Sequence, residues 1–76
     1  MIINIFMEKL DNFELVEYVK MVENIQEDQK NWRKGQTYFN VLWDMYPELA
    51  DSLRGTEYDP FYRDDVVDKF LKFITK

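Results

Sequence analysis

The chain has 76 residues, 15 acids against 10 bases, two Trp, five Tyr and six Phe, and neither His nor Cys. Without those two residue types there is no ordinary zinc site, no imidazole acid or base, no thiol nucleophile and no disulfide framework. A net charge of -5 argues against nucleic acid and against an anionic membrane surface, because both are bound by clustered Lys and Arg. The longest apolar run, Met1 to Met7, falls far short of the roughly 20 residues of a membrane span and lacks the basic flank of a signal peptide. A cytoplasmic protein is expected. Chains of this length bury only about 60% of their unfolded surface, so one domain of modest stability is expected over 1–76.

The Met1–Met7 arm, with three Ile and a Phe, can pair as a short strand or be dispensable if Met7 is an internal start. The helical core is expected over 11–76. Asp11 and Glu14 form a capping box, with Leu10 placed to staple onto Leu15. Leu15, Tyr18, Val22, Ile25, Gln29 and Trp32 then follow at alternating three- and four-residue spacing, widened by Val19. The stripe predicts one helix from Asp11 to Lys34, ended by Gly35 in the left-handed conformation. From Gln36 to Tyr46 the residues are apolar almost all round, the mark of a central or interfacial helix. Pro47 either kinks that helix or opens a short one carrying Leu49, Ala50 and Leu53, and the second reading is favoured. Arg54-Gly55 repeats the basic-then-glycine stop, which requires positive φ at Gly55. Asp59-Pro60 predicts a turn. Asp64 and Asp65 then open a last helix with Val66, Val67, Phe70, Leu71 and Ile74 on one face and Lys72 and Lys76 at its end. The fold class is therefore all-α: a small compact bundle of three to four helices.

Gly35-Gln36-x-x-Phe39-Asn40-x-Leu42, then Pro47-x-Leu49-Ala50, then Arg54-Gly55-Thr56-x-x-Asp59-Pro60-Phe61-Tyr62 resembles a pattern of short uncharacterised bacterial and phage proteins. It covers Gly35 to about Phe70 and implies a bacterial or phage-encoded origin, with no activity, cofactor or catalytic residue attached.

Two constellations and one lone residue are the candidates for chemistry. Arg54, Asp59 and Tyr62 lie within one corner, where Arg54 could bind an anion through its fork; a buttressed turn, with Arg54 paired to Asp59 or capping carbonyls, is the favoured reading. Asp59, Asp64, Asp65 and Asp68 are the acids closest to a hard-cation cluster, but they lack calcium-loop spacing and suit capping instead. Ser52, the sole serine, has no base or elbow motif to activate it. No catalytic group, cofactor, metal or small-molecule substrate is expected. Elimination leaves a non-enzymatic protein-binding module, an adaptor or inhibitor. Its alternative is a structural homo-oligomer that buries the aromatic segment between copies. Trp43 and Tyr46, next to Asp44 and Glu48, make the expected interface, an aromatic centre with an acidic rim for a basic partner. The competing and slightly favoured reading packs both rings against Trp32 and Phe70 in the core.

Overall fold

Local capping, apolar periodicity and one proline set the helical elements in a computed structural model that describes residues 8–76. Helix α1, Asn12–Asp28, starts at the expected capping box. The Glu14 amide donates to Asp11 Oδ1 at 2.9 Å, and the Asp11 amide donates to Glu14 Oε1 at 3.0 Å. Such a reciprocal pair satisfies two of the four amides that a helix start leaves free. Tyr18 and Val22 are buried on the predicted face, with Leu15, Val19 and Ile25 packed beside them. Leu10, just before the cap, is also part of this core.

The expected continuation to Lys34 is not found. Helix α1 ends at Asp28, and the Gln26 side-chain amide donates to the carbonyls of Gln29 and Trp32 at 3.3 and 3.0 Å, which holds the reversal. Helix α2, Lys34–Met45, begins almost at once. Gly35 therefore lies in the first turn of α2 and stops nothing. Its backbone is not left-handed, since Gly55 is the positive-φ residue among those described.

Helices α1 and α2 pack as an antiparallel hairpin. Their order shows it: Glu14 and Glu17 lie near Tyr46, Tyr18 donates its hydroxyl to the Tyr38 carbonyl, and Gln26 reaches Trp32. As its apolar circumference predicts, α2 is central, touching α1, α3 and the turn before α4. Phe39, Val41, Leu42 and Thr37 are buried on it. The buried Thr37 hydroxyl donates to the Arg33 carbonyl at 3.1 Å, so its oxygen is not stranded in the core.

Pro47 opens helix α3, Pro47–Leu53, at its first position, where a missing amide costs nothing. Leu49, Ala50 and Leu53 are buried as expected. Gly55 ends this unit with φ of 80°. A single 3-10 turn, Asp64–Val66, leads into α4, Val67–Ile74, whose Val67, Phe70 and Ile74 face the core and whose last turn carries Lys72. Tyr58 stacks on Phe73 at 4.6 Å, and Lys9 Nζ lies 4.0 Å from the Phe73 ring. Among the described residues the one β pairing is a parallel bridge between Leu10 and Thr75. The arm expected at Met1–Met7 lies outside the described residues. None of the described helices is long and apolar enough to cross a membrane.

Candidate functional site

The corner singled out by Arg54, Asp59 and Tyr62 is not assembled as a binding site. Asp59 is consumed by backbone: Oδ2 accepts the Gly55 amide at 2.7 Å and Oδ1 accepts the Phe61 amide at 2.9 Å, an Asx turn over Pro60. Arg54 does not pair with Asp59. It turns back to Asp51 at 3.4 Å, one helical turn earlier, and its guanidinium carbon lies 5.0 Å from the Trp43 ring centre. Tyr62 points into solvent, its ring edge-on to Phe61 at 4.8 Å. The three side chains thus serve three separate neighbours.

The aspartates that follow are also individually engaged. Asp64 Oδ1 accepts the Gly35 amide at 2.8 Å, across 29 residues of sequence. Arg33 precedes α2 and has no acceptor to offer its first turn, so Asp64 supplies the carboxylate that an N-cap side chain would normally provide. Gln36 completes the arrangement by accepting the Arg33 amide at 3.2 Å. Asp65 pairs with Arg63 through two hydrogen bonds, of 3.2 and 2.8 Å. That bonding holds the Asp65 carboxyl below its ordinary range and raises the guanidinium. Among the described residues, no three metal-ligating side chains gather.

The aromatic segment behaves differently. Trp43 remains 41% exposed. One reason is that the core beneath it is already filled by Phe39, on which its ring stacks at 6.0 Å, and Phe39 in turn meets Phe61 edge-on at 5.9 Å. Trp43 and Trp32 are two sides of a groove of about 220 Å³ between α1 and α2, completed by Met21, Ile25, Val41, Asn40 and Asp44. Neither indole stacks on Phe70, which instead meets the edge of Tyr38 at 6.1 Å.

The expected interface quartet divides here. Trp43 and Asp44 line the groove, whereas Tyr46 and Glu48 do not. Tyr46 joins α2 to α3 and packs partly against the core. Burial, and then Glu14, Asp11 and Glu17, push its phenol up from the ordinary value, which places it beside the start of α1. Burial raises the fully enclosed Tyr18 phenol far more strongly, so that ring is a neutral hydrogen-bonded strut. Five groove residues lie outside the quartet expected from the sequence: Met21, Ile25, Trp32, Asn40 and Val41. Ile25 and Trp32 belong to the apolar stripe expected in the core, and Met21 sits just beside that stripe, where exposure depends on the crossing of the two helices.

Comparison of the chain with protein-family models, curated proteins and solved structures returned no match.

Proposed function

We propose that this chain is a small acidic, non-enzymatic protein-binding module, an adaptor or inhibitor, and that it docks its partner in the α1–α2 groove. The observation that carries the reading is the half-exposed Trp43 over a groove lined by a second Trp, a Met and two aliphatic side chains. Solvent-facing large apolar side chains that converge on a concavity mark recognition surfaces, and Trp is the residue type most enriched at their energetic centres. Asp44 gives the groove an acidic rim, which together with the net charge of -5 favours a basic partner. The proposal extends to a cytoplasmic protein of bacterial or phage origin, the origin resting on the motif resemblance from Gly35 to about Phe70.

Trp43→Ala tests it through binding and stability together. A partner is captured from the source cell on the wild-type chain, and its affinity for wild type and variant is then measured by calorimetry. Loss of at least about 2 kcal/mol of binding, with about 1 kcal/mol of destabilisation, is the expected result. Retained binding together with roughly 3–5 kcal/mol of destabilisation would identify a core ring and remove the reading. A concentration-dependent dimer that Trp43→Ala dissociates would make the partner a second copy of this chain.

A further inference from the structure

Taking the groove as the docking site, we infer that its occupant is an arginine side chain presented by a basic partner. Size is the first argument: about 220 Å³ lies below the roughly 300–1,000 Å³ of small-molecule sites, and suits a single long side chain. The lining then divides by chemistry. Met21, Ile25 and Val41, with the two indoles, offer an apolar bed for a methylene stem. Asn40 and Asp44 stand one helical turn apart on the same face of α2 and supply oxygen acceptors at one side of that bed.

Both acceptors are available. Among the described residues, the Asp44 carboxylate enters none of the ion pairs, and neither its side chain nor that of Asn40 forms a hydrogen bond. None of the described residues that line the groove is a base. A planar guanidinium satisfies two acceptors at once, which an ammonium does less well. The protein already uses the same combination on its own account: the Arg54 guanidinium rests 5.0 Å from the Trp43 ring with the Asp51 carboxylate 3.4 Å away. Asp44 and the two indoles that line the groove bring a carboxylate and aromatic surface together in one concavity for an incoming arginine.

The test is a titration of the isotopically labelled full chain at low salt, following the indole N–H signals of Trp32 and Trp43 and the Asn40 side-chain amide by NMR. The probes are the N-acetyl amides of arginine, citrulline, lysine and norleucine. Arginine should shift all three signals saturably and bind about tenfold more tightly than the neutral citrulline, the factor expected of one charge-assisted contact. Asp44→Asn should bring arginine down to the citrulline level. Glu27→Gln, in the separate polar hollow with Glu23, Gln26 and Lys30, should not. Equal or tighter binding of lysine, citrulline or norleucine would overturn the arginine assignment while leaving the groove as a docking site. No response to any probe at tens of millimolar would also overturn it, and the fate of the groove itself would then rest on the separate Trp43→Ala measurement.

Discussion

Lys34-Gly35 and Arg54-Gly55 look alike in sequence and act at opposite ends of helices. Gly55 follows α3 with φ of 80°, and a Cβ added there would meet nothing within 4 Å. Its constraint is purely conformational. Gly35 sits in the first turn of α2 with negative φ, and a Cβ there would lie 2.0 Å from the Pro60 carbonyl oxygen. Its constraint is purely spatial, because the turn at Pro60 rests on the backbone of α2. A basic-glycine pair therefore does not specify a helix stop: in one case the backbone selects glycine, and in the other a neighbour distant in sequence does.

Gly35→Ala separates the two cases most sharply. The methyl group must displace a backbone oxygen, and the shift also disturbs the Asp64 contact to the Gly35 amide, so a loss of about 2–3 kcal/mol is expected in denaturant melts. A cost no larger than that of Gly55→Ala would refute the close approach. Next comes Asp64→Ala, which leaves the start of α2 without its carboxylate and should cost about 1–2 kcal/mol. If the contact acts as a cap rather than as bulk, Asp64→Asn should recover part of that loss. Gly55→Ala, with space but the wrong φ, should cost about 1 kcal/mol and leave the Pro60 turn in place. The smallest effect belongs to the exposed pair at that turn. Bonding to Arg63 lowers the Asp65 carboxyl below its ordinary value. The pair's contribution is therefore present above that value and is lost as the pH falls through and below it. Asp65→Asn should leave the melting temperature at pH 7 almost unchanged and flatten the acid limb of a stability profile. An unaltered acid limb would show that solvent screens the pair completely.

What could be read in advance follows the same division. The Asp11 capping box, the first position of Pro47, the positive φ of Gly55, the Asx turn at Asp59 and the buried face of α4 all depend on residues within a few positions of one another, and each was legible. The end of α1 was not. The apolar spacing runs on through Gln29 to Trp32, and nothing between Asp28 and Arg33 is a glycine or proline to mark the reversal. The start of α2 was equally hidden, since its capping carboxylate comes from Asp64, 29 residues away. At the candidate site, counting rings shows that one helix cannot bury all of them together, but which ring stays exposed was not legible, and a core position for Trp43 was the slightly favoured reading. Its separation from Tyr46 was not legible either. The two are three residues apart, but α2 stops between them, and Tyr46 turns toward the acids at the start of α1.

The bridge between Leu10 and Thr75 has a consequence for the order of assembly. Leu10 donates its amide to the Ile74 carbonyl at 2.7 Å and accepts the Lys76 amide at 2.9 Å. Most other backbone links connect neighbours within one or two turns, whereas this pair closes a loop of about 65 residues, and closure entropy grows with loop length. The hairpin of α1 and α2 and the short α3 behind it can form from nearby contacts, so the link is the natural last step of folding and the first to open. Amide exchange at Leu10 and Lys76 should therefore proceed through a local opening while the amides of Leu42 and Phe70 still wait for the whole molecule to unfold.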